Sequence, residues 1–367
     1  MKRTKAIFAF SGDPVTTGHI DIIRRASEMF DLIIGVGNNP DKQYILSRET
    51  RISLINHHLI LESRKEGLEH LKHLPIVAYD NSFTDFAYSQ DVKVLVKGIR
   101  NSTDVEYEKK LFHFAFDRGF EKVFLFARPE LEAISSKYVR TIVQASESPL
   151  PYITLPAKAA LEKALLGQTI IGVTGEIGSG KSHLCKTLCR ENGTFSHLDL
   201  DAEVKKVYTD TSLRSERIRQ EIRYKFGGAT LGTKIVLKEL AAIVFQSQEN
   251  VDALNNILRE EVHFRIREFL RGRKGIILLD SALLIEAGLD HYCNRNVLFV
   301  KGNYIDKKRA QGIENAVDRK KFQLSYQGKI DKFKETLLWN CFCSDSIVND
   351  ELLNWIKYTD ETYTCNN

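Results

Sequence analysis

The chain has 367 residues, 43% hydrophobic and 28% charged, an ordinary balance for folded domains that leaves little room for a disordered linker. That length exceeds one common core and suits two domains of about 150–200 residues. The net charge of +5 comes from dispersed Lys and Arg, which suits anionic small substrates and argues against a nucleic-acid partner.

The apolar run 6–10 is too short for a signal peptide, and reads as a buried first strand. Every other apolar stretch is broken by charge well before ~18 residues, as Asp280 and Glu286 do within 276–289, so no membrane span is expected. A cytoplasmic protein follows. Six cysteines, at 185, 189, 293, 341, 343 and 365, form no Cys-x-x-Cys pair and read as reduced thiols.

In chain order, strand 6–10 leads to Ile20, Ile23, Ala26 and Phe30 at helical spacing and then to strand 32–36, a β-α-β unit. Runs 92–96 and 123–126 predict further buried strands, with helices over 48–61 and 105–118 between them. The pattern breaks at Pro149, Pro151 and Pro156, and a helix over 157–166 ends at Gly167. A domain over 1–160 and a second over 168–367 are expected. Strand 169–173 runs into a glycine-rich loop, which opens a helix over 182–190. Strands are also expected at 276–279, 297–300 and 346–348, and 211–273 reads as mostly helical. The fold class is α/β, with a parallel sheet in each half.

Thr16-Thr17-Gly18-His19 sits where strand 6–10 gives way to its helix. The loop 11–18 thus aims backbone N–H groups and a helix N-terminus at a phosphate. Asp13-Pro14-Val15 before that motif, Lys42, Lys97-Gly98-Ile99-Arg100, Asp104-Val105-Glu106-Tyr107-Glu108 and Ile134-Ser135-Ser136-Lys137-Tyr138-Val139-Arg140 follow in order. Together they resemble the bacterial phosphopantetheine adenylyltransferases, of the nucleotidyltransferase superfamily. The resemblance implies joining ATP to 4′-phosphopantetheine, giving dephospho-coenzyme A and pyrophosphate without a covalent enzyme intermediate. It assigns Ser11, Lys42 and Lys97 to the acceptor phosphate and the reacting centre, with His19 donating to the α-phosphate. For ATP it assigns Ser11, Gly12, His19, Lys97, Gly98, Arg100, Glu108, Ser135, Ser136 and Arg140. A homo-oligomer is implied as well. Two departures stand out: Phe10-Ser11-Gly12 exchanges the family's glycine and aromatic around the hydroxyl residue, and Lys97 replaces an arginine, losing its planar fork.

Gly175, Gly178, Ser179, Gly180, Lys181 and Ser182 complete a Walker A loop, in which backbone N–H groups cradle phosphates, Lys181 neutralises charge and the Ser182 hydroxyl binds Mg²⁺. Asp199 and Asp201 follow at the distance of a second strand. With Leu283-Leu284-Ile285-Glu286, residues 168–350 resemble dephospho-coenzyme A kinase, which phosphorylates the ribose 3′-hydroxyl. The resemblance makes Asp201 the general base and gives Asp199 and Glu286 to magnesium and pocket geometry. Ala282 stands where a proline is expected, Arg259-Glu260 where histidine-proline is, and His183 where threonine is. Gln311 to Asn315 occupy the place of a lid Arg-Asp pair, for which Arg309 or Arg319 would have to substitute. Two rivals share these motifs: a nicotinamide-nucleotide adenylyltransferase fused to a nucleoside kinase, and an adenylyltransferase whose second half binds nucleotide without transferring phosphate. The Glu-Tyr-Glu and Ser-Ser-x-x-Val-Arg contexts favour pantetheine over nicotinamide.

Overall fold

The computed structural model describes residues 3–38, 42–110, 116–227, 230–231, 234–302, 323–335 and 340–362. The chain divides into two compact units, Met1–Leu165 and Leu166–Thr362.

The first unit is built on five parallel strands, β1 (Lys5–Phe10), β2 (Asp31–Gly37), β3 (Ile76–Tyr79), β4 (Val94–Ile99) and β5 (Glu121–Phe126), in the order β3-β2-β1-β4-β5. Ala6, Ile7, Ile34, Leu95 and Val96 are buried, as expected of strands covered on both faces. Phe8 stands opposite Ile34 on one side and Val96 on the other, so β1 and β4 end side by side. The strand order reverses between them, and the crevice beyond their carboxyl ends is where such sheets bind ligands. Helix α1 (Thr17–Met29) buries Ile20, Ile22, Ile23 and Ala26 and starts at that crevice.

In the second unit β6 (Gln168–Thr174), β7 (Phe195–Asp199), β10 (Gly275–Asp280), β11 (Asn296–Val300) and β12 (Asn340–Ser344) form a parallel sheet ordered β12-β11-β6-β10-β7. A short antiparallel pair, β8 (Thr230–Leu231) and β9 (Lys234–Ile235), interrupts the region 211–273, which is otherwise mostly helical, through Leu213–Lys225, Leu237–Val244 and Gln248–Leu270. Register places Asp280 opposite both Val173 and Asp199, so three strand ends meet at one edge.

The expected strand at 346–348 is displaced: β12 ends at Ser344, and Ser346 takes a left-handed backbone, φ +66°. Its hydroxyl bonds the Ser179 carbonyl, so this residue seats the phosphate loop instead of extending the sheet. The helix expected over 157–166 starts at Leu155, and its last turn, Glu162–Leu166, loosens to π geometry.

Candidate active sites

In the first unit, Thr16 precedes α1 and His19 lies in its first turn. The Thr16 backbone N–H donates to His19 Nδ1 at 3.1 Å, and the Thr16 hydroxyl is 2.8 Å from the same nitrogen. A ring nitrogen that accepts from a backbone N–H carries no proton, so the proton sits on Nε2, free to donate. The imidazole stacks on Phe10 at 4.6 Å. Burial, and after it the Arg100 guanidinium and His58, lower its pKa to about 3. His19 is therefore a neutral donor at any ordinary pH.

Asp13 organises the loop behind this histidine. Its buried carboxylate accepts from the backbone N–H groups of Ile45 and Leu46, both at 3.0 Å, and from Arg140 at 2.9 Å. Arg140 reaches the Asp13 carbonyl too, and the Ser136 hydroxyl donates to the Pro14 carbonyl at 2.8 Å. Ser135 caps helix Ser136–Gln144, its hydroxyl accepting from the Tyr138 N–H. The 134–140 motif and the loop after β1 are thus physically joined, through an aspartate that the sequence reading quoted without a role.

Arg51 was missed altogether. It is buried, donates to the carbonyls of Ser11 (2.6 Å) and Gly37 (3.2 Å), and lies 4.2 Å over the Tyr44 ring. Its only sequence signal is a charge on the inner face of helix Arg48–Glu62. Ser11 Oγ faces Tyr44 Oη at 3.4 Å, and Gly12 takes φ +65°, where a Cβ would press on Phe10 and Ile55 at 3.2 Å. The glycine of the exchanged Phe10-Ser11-Gly12 order thereby makes the turn.

On β4, Lys97 lies 3.4 Å from Glu108 and 4.5 Å over the Phe83 ring. Burial lowers its pKa, Glu108 opposes that, and Lys122 and Lys42 add to the lowering. Lys42 itself is exposed. Glu108 is buried between Lys97 and Lys122, the latter at 3.0 Å, so in this structure it neutralises lysines. Arg100 follows Gly98 and is clamped in plane by Asp104 at 3.0 and 3.2 Å. Its positive charge is among the causes that lower the His19 pKa.

In the second unit, Gly178 and Gly180 adopt φ +84° and +95°, which a side chain would strain, and Gly180 caps helix Lys181–Glu191. A Cβ on Gly175 would lie 2.2 Å from the Val300 carbonyl oxygen. The buried Lys181 ammonium donates to the loop carbonyls of Gly175 (3.3 Å) and Glu176 (3.1 Å), and the Ser179 hydroxyl is buried without a partner among the described residues. Ser182 Oγ donates to Asp280 Oδ2 at 2.6 Å. Asp280 is the residue that sequence reasoning missed at this site. A β-strand of four apolar residues ending in aspartate was the available signal, read there as an interruption of a membrane span.

Asp199 caps helix Leu200–Lys205, its Oδ1 accepting from the Ala202 N–H at 2.9 Å. Asp201 keeps an exposed edge, yet its carboxylate reaches back to the Ala282 N–H at 3.4 Å. Desolvation raises its pKa, with Lys181 opposing and Asp280 adding to the rise. Glu286 pairs with the fully buried Lys329 and accepts from the Leu324 N–H at 3.1 Å. Lys329 donates to the Ala282 carbonyl at 2.7 Å, while Gln323 bonds that carbonyl and accepts from the Ile177 N–H. Arg309, Arg319 and the lid positions 311–315 lie outside the described residues.

The fold and these loops define a nucleotidyltransferase-type unit followed by a phosphate-loop kinase unit. Residues 11–142 match the cytidylyltransferase-like family model, and residues 169–323 match that of dephospho-CoA kinase. A phosphopantetheine adenylyltransferase of Nautilia profundicola is 34% identical over 38% of this chain and 88% of its own length. One from Dinoroseobacter shibae is 36% identical over 41% and 86% respectively. Among solved structures, the NadR protein in complex with NAD and AMP-PNP aligns over 97% of this chain and 96% of its own at 13% identity and a TM-score of 0.31, too remote to bear on substrate. The chain belongs to the phosphopantetheine adenylyltransferase family through its N-terminal region and carries a dephospho-CoA kinase domain after it.

Proposed function

We propose that this enzyme carries out the last two steps of coenzyme A synthesis, with adenylyl transfer in residues 1–160 and 3′-phosphorylation in residues 168–367. In the first step a phosphate oxygen of 4′-phosphopantetheine attacks the α-phosphorus of ATP, and the bond to pyrophosphate breaks. His19 donates its Nε2 proton to a non-bridging α-phosphate oxygen as a hydrogen bond, keeping the proton throughout. A neutral imidazole at the start of a helix suits this role, since it stabilises developing charge without itself titrating. Lys42, Lys97 and Arg100 supply positive charge around the phosphates. Asp13 and Arg51 hold the backbone of the loop that carries Ser11 and Gly12. Ser135, Ser136 and Arg140 line the other side, with Arg140 acting first through Asp13.

In the second step the γ-phosphoryl group of ATP passes to the ribose 3′-hydroxyl of dephospho-coenzyme A. Gly175, Gly178, Ser179 and Gly180 offer backbone N–H groups to the phosphates, and Lys181 leaves its carbonyl partners for them. Asp201, with its pKa raised, accepts the hydroxyl proton. Mg²⁺, when bound, would supply positive charge that offsets the charge of the ATP phosphates. The hydroxyl of Ser182 and the carboxylate of Asp280, 2.6 Å apart at the loop's edge, are hard oxygen donors of the kind that ion takes, with Asp199 on the neighbouring strand end.

The observation that carries this reading is the order of the two sites: the product of the family to which the first unit belongs is the substrate named by the kinase domain that follows. The nicotinamide alternative has no comparable support, since the curated relatives act on phosphopantetheine by name. Incubation with phosphopantetheine, ATP and magnesium, resolved by chromatography, is expected to yield coenzyme A. Lys181→Ala is expected to stop at dephospho-coenzyme A, and His19→Ala to give neither product. Dephospho-coenzyme A alone from the unaltered protein would reduce the second unit to a nucleotide-binding module.

A further inference from the structure

Behind the phosphate loop, three side chains with no part in the mechanism above, or only a shared one, converge. Cys185 lies one turn after Ser182 on helix Lys181–Glu191, His197 lies on β7, and Asp280 ends β10. A ligand atom from each lies within 4.8 Å of the other two. His197 Nε2 is 3.3 Å from Asp280 Oδ2, and Asp280 Oδ1 is buried with no hydrogen-bond partner among the described residues, on a side chain only 2% exposed. Cys185 is a buried thiol held protonated by that burial and by Asp280.

Thiolate, imidazole and carboxylate together are a soft-to-borderline donor set. It matches zinc with three protein ligands and an open fourth position, and it does not match Mg²⁺, which avoids sulfur. Zinc–ligand bonds of roughly 2.0–2.3 Å put donor atoms about 3.5 Å apart; His197 Nε2 and Asp280 Oδ2 at 3.3 Å already stand at that spacing, and the remaining pairs lie within 4.8 Å. One thiolate and one carboxylate balance a divalent cation, leaving no net charge in a buried place.

We propose that Cys185, His197 and Asp280 form a zinc site, and that zinc held there switches the phosphate-loop unit off by taking Asp280 from Ser182. On binding, a sulfur–zinc bond replaces the S–H bond and the thiol proton goes to solvent. The His197 lone pair and an Asp280 oxygen complete the protein ligands, water takes the fourth position, and nothing is oxidised or reduced. The binding claim stands on the cluster alone, while the switch rests on the kinase reading.

Cobalt(II) titrated into the full chain is the test. Expected are a near-ultraviolet thiolate-to-cobalt band and visible bands of tetrahedral strength, both erased by equimolar zinc and unmoved by excess magnesium. Cys185→Ala is expected to abolish the sulfur band and His197→Ala to weaken binding at least tenfold, while Cys189→Ala, one turn further along the helix, keeps the spectrum. If Cys185→Ala folds poorly by circular dichroism, Cys185→Ser gives the same readout. Absence of the sulfur band, or its survival in both Cys185 variants, overturns the site. Separately, zinc is expected to inhibit phosphorylation of added dephospho-coenzyme A by the unaltered chain and to spare Cys185→Ala, and equal inhibition of both overturns the switch. A chain with no kinase activity at any zinc level would sink the kinase reading and the switch with it, with the cobalt spectrum still deciding the site.

Discussion

Glu286→Gln removes the charge facing Lys329 while keeping shape and one acceptor. Lys329 is fully excluded from solvent and Glu286 is 17% exposed, so the change leaves a buried ammonium facing, among the described residues, the Ala282 carbonyl and an amide oxygen in place of the carboxylate. Breaking one side of a buried ion pair costs about 3–5 kcal/mol, and the residual exposure of Glu286 places this case at the lower end, about 3 kcal/mol. With a urea m-value near 2–3 kcal/mol/M for a unit of this size, the midpoint falls by roughly 1 M. Both tryptophans, Trp339 and Trp355, belong to the second half, so fluorescence reports its unfolding. Lys329→Met strands the carboxylate instead and costs a similar amount. Glu286→Leu combined with Lys329→Met removes both charges and is expected within about 1 kcal/mol of the unaltered protein. Its kinase activity is nonetheless expected to drop, because Leu324 and Ala282 lose the partners that hold the 323–329 segment against the phosphate loop. Single substitutions costing under about 1 kcal/mol, or a double substitution equal to their sum, would refute the pair as a structural coupling.

His19 and His58 have folded pKa values of about 3 and about 4, both below the ordinary 6.5. The unfolded chain therefore binds more protons between those values and 6.5, and stability of the first unit, full above 6.5, falls as pH drops through that window. Urea midpoints followed by circular dichroism should show the decline, with a shallower slope in His19→Asn, and an unchanged slope would contradict a neutral His19. A Cβ on Gly302 would lie 2.4 Å from the Ser179 backbone oxygen, so Gly302→Ala is expected to raise the KM for ATP in phosphorylation several-fold and leave adenylyl transfer alone, as separate assays of the two products would reveal. Asp13→Asn cannot accept from Ile45, Leu46 and Arg140 together as a charge. Hydrogen bonds to charged groups contribute about 1.5–3 kcal/mol each, and a loss of roughly 3 kcal/mol is expected in the first unit together with weaker adenylyl transfer. Stability equal to the unaltered chain in a urea titration would mean that the loop holds itself.

Much of this protein was readable without coordinates, and for a definite reason. Strands such as Lys5–Phe10 and Gln168–Thr174 are short apolar runs, helix Thr17–Met29 repeats its apolar residues at helical spacing, and the Gly175 to Ser182 loop has its glycines at set intervals. All of these are properties of neighbouring residues along the chain. The same locality misled at 346–348, where an apolar pair in a turn imitated a strand, because only the packing of Ser346 on Ser179 distinguishes the two.

What needed the tertiary structure are the partners that no spacing encodes. Glu108 meets Lys97 and Lys122 because β4 and β5 pair in a particular register, Asp13 gathers 45–46 and Arg140 from distant segments, and Asp280 meets Ser182 across 98 residues. The proton of His19 lies on Nε2 for a like reason, since a backbone N–H claims the other nitrogen only once the helix start is folded. Residue types and intervals declare which groups are able to grip a phosphate. Which carboxylate faces which cation, and which nitrogen keeps its proton, is settled by strand register and burial, because electrostatic and hydrogen-bond energies depend on distance in space and on the exclusion of water.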